Sequence, residues 1–285
     1  MTLANNVYLR PDTVAEAVKA LAATKLTILA GGTDLYAARS AHAFAEPVLD
    51  ITAIRELRSV KDEGAHWRIG ATATWSDIVR GNLPPLFRGL QAAAREVGGI
   101  QVQNNGTVAG NICNASPAAD GVPALIALDA QVELTSVSGK RVVTLTDFVL
   151  GSRTIAREAG ELVTAILIPS RENARSSFIK IGHRRYLVIS IAMVSAVIDA
   201  DAANVITYAR LAVGSCSAVA RPLKSLEHKL VGKKLAKELS DLITEDDLSV
   251  LTPIDDVRGT GEYRRDAALT LVKRAIKEAI HEYDL

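Results

Sequence analysis

The chain has 285 residues, enough for about two domains at roughly 150 residues each, and its apolar content of 48% suits a packed core. With 33 Lys and Arg against 32 Asp and Glu, the balance excludes an affinity built on neutralising nucleic-acid phosphates. The two cysteines, Cys113 and Cys216, exclude a disulfide framework, and an iron–sulfur cluster, which takes about four thiolates, cannot be held by this chain alone.

The longest apolar stretch, residues 187–198, is broken by Ser190 and Ser195 and falls short of the roughly 20 residues that span a bilayer. Residues 1–11 hold no apolar core of signal-peptide length, so the expectation is a cytoplasmic chain without a membrane span.

Thr13 and Glu16 have capping-box spacing, and Val14, Ala17, Val18 and Leu21 follow on one helical face. Residues 26–30 read as a buried strand ending at Gly31-Gly32, and residues 48–51 as a second, giving a small α/β unit. Residues 67–71 predict a strand, Thr74 caps a short helix, and Pro84-Pro85 opens a longer one with Leu86, Leu90, Ala93, Ala94 and Val97 on one side. Residues 98–120 read as a long Gly/Asn-rich loop. Strands are expected at 131–135, 141–145 and 162–168, and residues 170–176 read as a polar linker. Strands at 178–181, 191–198 and 205–213, then a helix over 262–280, predict an α+β unit with helices on one face of an antiparallel sheet.

Two segments stand out chemically. Leu29-Ala30-Gly31-Gly32-Thr33-Asp34 places two glycines directly after a buried strand, where successive N–H groups form a concave nest for an anion. Taken alone, it fits a tight strand-to-helix turn without a ligand equally well. The second runs from Asn105 to Asp120, and its density of Asn, Gly, Ser and Thr offers many uncharged donors. A long unstructured loop in a compact domain points to binding, although a surface loop held by its own Asx turns is the bland alternative. Two separated, uncharged nests suggest a diphosphate bridged between subdomains. Neither a Gly-x-Gly-x-x-Gly fingerprint nor a Walker-type phosphate loop is present.

Ala30-Gly31-Gly32-Thr33-Asp34, Thr107-Val108-Ala109-Gly110-Asn111 and the Ala115–Asp120 run together resemble the FAD-binding subunits of molybdenum-containing hydroxylases. This is the xanthine dehydrogenase and carbon monoxide dehydrogenase flavoprotein family. The resemblance covers essentially the whole chain and includes a third motif running from Pro253 to Arg265. It implies an α+β protein: a two-subdomain FAD-binding domain of the vanillyl-alcohol-oxidase/PCMH type over residues 1–172, split near 55, then a C-terminal α+β domain over 173–285 with a small antiparallel sheet and helices.

The same resemblance implies that Leu29, Ala30, Gly31, Gly32, Thr33, Asp34, Leu35 and Tyr36, with Thr107, Val108, Ala109, Gly110 and Asn111, contact FAD around its pyrophosphate. Asp120 would bond the sugar part, Val163 would touch the adenine side, Lys180 would contact the cofactor and Ile189 would lie near the flavin ring. A surface lysine at a strand edge and a plain core isoleucine are the alternatives for the last two. The implied function is electron transfer within a heteromeric enzyme. A large partner subunit would carry molybdopterin and a small one [2Fe-2S] clusters, and electrons would pass through FAD to an external acceptor. Tyr186-Leu187-Val188 stands where the NAD-using animal enzymes carry acidic residues, which weakens the case for NAD as acceptor and makes a quinone, ferredoxin or other carrier at least as good a reading. The alternative is a self-contained FAD-dependent oxidase or reductase of the same fold, which would need an acid–base set of its own.

Other groups have plainer readings. His42, His66, His183, His228 and His281 lack metal-ligand spacing. Cys113 reads as a small packing residue. Glu245-Asp246-Asp247 and Lys233-Lys234 read as solvated faces, and Asp255-Asp256 with Arg264-Arg265 as an ion-pair network holding the C-terminal helix.

Overall fold

The structure, a computed structural model, describes residues 8–38 and 46–281; His42 lies outside the described residues. The first unit comprises β1 (Tyr8–Leu9), α1 (Val14–Ala23), β2 (Thr27–Leu29), α2 (Thr33–Ala37) and β3 (Val48–Asp50). Its strands pair in parallel in the order β1-β3-β2, as crossover connections require. Thr13 caps α1 by accepting from the Glu16 N–H. The expected capping box is only half formed, because the Glu16 carboxylate accepts from Asp12 N–H instead.

The second unit follows with β4 (Val60–Asp62), β5 (His66–Gly70), α3 (Trp75–Arg80), α4 (Arg88–Glu96), α5 (Ile100–Asn105), α6 (Val108–Asn114) and α7 (Gly121–Ala127). It continues through β6 (Gln131–Ser136), β7 (Gly139–Thr144), α8 (Leu145–Phe148), β8 (Val149–Gly151), β9 (Thr154–Ile155) and β10 (Leu162–Pro169). An antiparallel sheet runs in the order β4-β5-β10-β6-β7. Across its middle, Arg68 on β5 donates two hydrogen bonds to Glu133 on β6, at 2.6 and 3.1 Å. Thr164 on β10, the strand between them, donates to the same carboxylate.

The expectation of a long loop over 98–120 is wrong. Thr107 accepts from Gly110 N–H and starts α6, whose Val108, Ala109 and Ile112 are buried on one face. Ala115, at φ +47, ends it. The polar, glycine-rich composition hid α5 and α6 because intrinsic propensity is a weak determinant that tertiary packing overrides.

The third unit contains β11 (Arg175–Ile181), β12 (Ala192–Ala200), β13 (Ile206–Gly214), β14 (Arg221–Pro222), α9 (Lys224–Leu230) and α10 (Gly261–His281). Its four strands form an antiparallel sheet in sequence order. The linker expected over 170–176 is shorter than that, since β11 begins at Arg175 and Ala174 is buried. Side chains sort by strand periodicity into two cores. Ala192, Val194, Ala196 and Ile198 face α10, with Leu271, Val272, Ala275 and Ile276, whereas Met193 and Val197 join the core that includes Leu90 of α4 and Leu125 of α7. The sheet is thereby buried on both faces and ties the third unit to the second.

Asp247 also departs from expectation. It is buried, closes a capping box with Thr244 and pairs with Lys229 at 3.0 Å, rather than lying on a solvated face. Asp256 does pair with Arg264 at 2.6 Å, and Arg264 also donates to Ile191 O and Ser215 O. No described helix is long and apolar enough to cross a membrane.

Candidate functional site between two glycine loops

A cleft of about 580 Å3 separates the first unit from the second, a size typical of small-molecule sites. One wall is the β2–α2 turn, the other α5 and α6, with Leu162 and Val163 of β10 closing the base. The two loops touch each other directly. A β-carbon on Gly31 would lie 2.0 Å from Asn105 O and 2.9 Å from the Gly106 α-carbon, so Gly31 admits the facing backbone. Gly32 has φ +70, which an L side chain rarely adopts, and sets the turn into α2. The first turns of α2 and α6 supply backbone N–H groups that lack intrahelical acceptors.

Charge is sparse here. Lys25, Asp34 and Arg157 are the charged residues of the lining, so recognition in the cleft rests mainly on neutral donors and apolar surface. Asn111 lines the cleft, and its Oδ1 is buried without a hydrogen-bond partner. A buried acceptor left unpaired costs about 1–3 kcal/mol, and this one sits beside Gly121 of α7, where a β-carbon would lie 3.1 Å from it. Cys113 lines the wall rather than packing wholly in the core, and burial pushes its thiol up to about 12, so it stays protonated at neutral pH.

Ala30, Gly31, Gly32, Thr33, Asp34, Leu35, Thr107, Ala109, Gly110, Asn111 and Val163 all line this cleft. Leu29 and Val108 are buried in the packing beneath it, and Tyr36 is 57% exposed with its ring against Gly32. Asp120, Lys180 and Ile189 do not line it. Asp120 and Lys180 are brought to one another instead. The Lys180 ammonium donates to Asp120 Oδ2 at 2.9 Å and lies 3.8 Å from Glu96, while Ser190 donates to Asp120 Oδ1 at 2.6 Å. Burial pushes the Asp120 carboxyl up, against the opposing charge of Lys180. The Lys180 side chain is only 7% exposed, so it is no surface lysine. Ile189 is 51% exposed and no core residue; it stands with exposed Tyr186 and Leu187 on the loop between β11 and β12.

Sequence reasoning missed the remainder of the lining. Lys25 and Ile28 precede the first glycine loop, Ile51 follows β3, and Ile155 and Arg157 flank the end of the β8–β9 hairpin. No local motif marks them, since they meet only when the three chain segments pack. Among the described residues, no group of three or more His, Cys, Asp or Glu is placed to hold a metal ion.

Comparison with known proteins agrees with this architecture. Residues 3–171 match a family described as the FAD binding domain in molybdopterin dehydrogenase, and residues 177–279 match the CO dehydrogenase flavoprotein C-terminal domain. The glyceraldehyde dehydrogenase medium chain of Sulfolobus acidocaldarius is 32% identical over 280 residues, covering 95% of this chain and 97% of the relative. The carbon monoxide dehydrogenase medium chain of Afipia carboxidovorans is 30% identical, covering 95% and 96%. Among solved structures, the carbon monoxide dehydrogenase of Hydrogenophaga pseudoflava superposes with a TM-score of 0.86 at 28% identity, over 98% of both chains. By sequence and fold alike, this chain belongs to the flavoprotein-subunit family of the molybdenum-containing dehydrogenases.

Proposed function

We propose that the chain is the FAD-binding electron-transfer subunit of a heteromeric molybdenum hydroxylase. The observation that carries this is the cleft itself: two backbone loops in direct contact at Gly31 and Asn105, little formal charge, and an orphaned Asn111 Oδ1 in the lining. These features fit a dinucleotide whose diphosphate is held by N–H donors and whose hydroxyls or ring N–H groups meet uncharged acceptors. Gly32, Thr33 and Ala109 would hold the pyrophosphate through backbone groups, Gly110, whose N–H caps onto Thr107, would let it approach α6 closely, and Val163 would pack against the adenine side. Asp120 and Lys180, paired with each other and tied to Ser190, would meet the cofactor from the side of the exposed β11–β12 loop, with Ile189 near the flavin ring. Bound FAD would supply reversible electron uptake and release. The chain's own residues bind it, orient it and keep its phosphates from water.

In this reading a large subunit carries molybdopterin and a small one carries [2Fe-2S] clusters, and electrons reach FAD from the latter before leaving to an external acceptor. Two cysteines are too few for a cluster, so the clusters belong to another chain. Both cysteines are free thiols, which suits a cytoplasmic complex. The proposed division places the FAD-binding domain over residues 1–172, split near 55, and the C-terminal domain over 173–285, in line with the separate sheets. The test is purification of the chain with its partners, followed by flavin, iron and molybdenum analysis. FAD bound to this chain, with iron and molybdenum on co-purifying chains, is expected. A chain that takes up no flavin under any condition would overturn the proposal.

A further inference from the structure

We infer that Arg157 is the adenine-side anchor of the cleft and the residue by which the chain selects FAD over FMN; this rests on the FAD reading above. Beyond the glycine loops, the lining includes an apolar set, Ile28, Ile51, Ala71, Ile155 and Val163, drawn from both units. Such a surface accepts a flat, uncharged ring. Arg157 is the half-buried cation of the same lining, in contrast to exposed Lys25.

Arg157 is held in place by neutral acceptors. Its Nη1 donates to Glu161 O at 2.8 Å and to Glu158 O at 3.5 Å. The neighbouring carboxylate of Glu161 is taken by Arg141, which donates to it at 2.5 and 2.8 Å, and by Glu158 N–H. Arg157 is therefore a planar cation anchored to backbone, with no carboxylate of its own among the described residues. A guanidinium so fixed loses little entropy when it covers an aromatic face, and it is less strongly hydrated than an ammonium.

The ring it meets follows from the direction of the cleft. With Ile189 of the β11–β12 loop near the flavin ring, as proposed above, that ring lies toward the end where Val97 and Val102 line the cleft, because the neighbouring Gly99 meets Leu187 of the same loop. Arg157 and Ile155, with Val163 proposed above for the adenine side, come from the β9–β10 stretch rather than from the α4–α5 stretch that carries Val97 and Val102, so the adenine is assigned to their end. FMN has no adenylate half, so a residue acting there affects FAD alone.

The experiment measures FAD and FMN dissociation constants for the flavin-stripped full chain by fluorescence quenching, in wild type, Arg157→Ala and Arg157→Lys. Arg157→Ala is expected to weaken FAD about tenfold and leave FMN unchanged. Arg157→Lys, which keeps the charge and loses the plane, recovers only part of the loss. Parallel weakening of FAD and FMN would show a phosphate contact instead, and unchanged FAD affinity would show no contact; either overturns the inference while the FAD reading stands. Wild-type chain that binds neither flavin overturns both. Because Arg157→Ala also removes the bond to Glu161 O, a second measurement uses the wild type. Phenylglyoxal modification of Arg157, read by mass spectrometry, is expected to be blocked by ADP and FAD but not by FMN. Full modification under saturating ADP would overturn the assignment.

Discussion

Gly31 faces Asn105 so closely that a β-carbon on the glycine would sit 2.0 Å from the asparagine carbonyl oxygen. The glycine loop after β2 and the α5–α6 turn are therefore one structure, and the first glycine serves the loop-to-loop contact. Gly31→Ala must force the loops apart, with a cost of about 1–3 kcal/mol. The variant should melt lower and retain far less flavin, read from visible absorbance against protein. Gly110→Ala is the contrast. In the free chain its β-carbon meets only Thr107, with Oγ1 at 2.7 Å, so the stability cost is confined to the α6 cap at about 1 kcal/mol, while its flavin loss comes from crowding the proposed pyrophosphate site. A Gly110→Ala variant that melts as low as Gly31→Ala would contradict this division of roles.

Asn111 offers the opposite signature. Its Oδ1 makes no hydrogen bond in the free chain, so Asn111→Ala removes no hydrogen bond of that atom. The flavin-free variant should melt at or slightly above the wild-type temperature. Its FAD affinity should fall by about 1 kcal/mol, roughly fivefold in Kd. A variant that melts lower but binds FAD normally would place Asn111 in the scaffold instead.

The sequence made the scaffold legible where periodicity and capping agree. Thr74 and Asp77 form the expected cap, and the stripe from Ala268 to Ile280 packs on the third sheet. It concealed α5 and α6, because Asn and Gly are poor helix formers and the burial of Val108 and Ile112 decides the matter. The glycine loops were visible as motifs, since a positive φ at Gly32 and a backbone approach at Gly31 leave a residue-type trace. Arg157, Ile51 and Lys25 left none: their place in the lining depends on three chain segments folding around one space. The pairing of Asp120 with Lys180 was equally hidden, as 60 residues separate them.

That pair joins the second unit to the third. Lys180→Met would leave the Asp120 carboxylate, only 11% exposed, with Ser190 as its remaining donor, at a cost of about 3 kcal/mol. Adding Asp120→Asn removes the stranded charge, so the double variant should recover much of the stability in urea denaturation. The cycle isolates the coupling between the two side chains. Single and double variants of equal stability would mean that the pair is uncoupled and that Lys180 acts only through packing.

Glu133 makes the stability of the second sheet depend on pH. Burial alone would raise its carboxyl, but the hydrogen bonds from Arg68 and Thr164 and the charges of Arg68 and Lys140 prevail and hold it at about 2, against an ordinary value of 4.5. The folded chain thus binds the proton more weakly than the unfolded chain. The stabilisation is fully present above about pH 4.5 and is lost as pH falls toward about 2, where protonation breaks the pairing with Arg68. Its size is on the order of 2–3 kcal/mol. Glu133→Gln, lacking this titration, should show a flatter stability profile across that window, and the gap to wild type should close as pH approaches 2. Urea midpoints taken between pH 6 and pH 2.5 measure it, and parallel profiles for the two proteins would refute the assignment to Glu133.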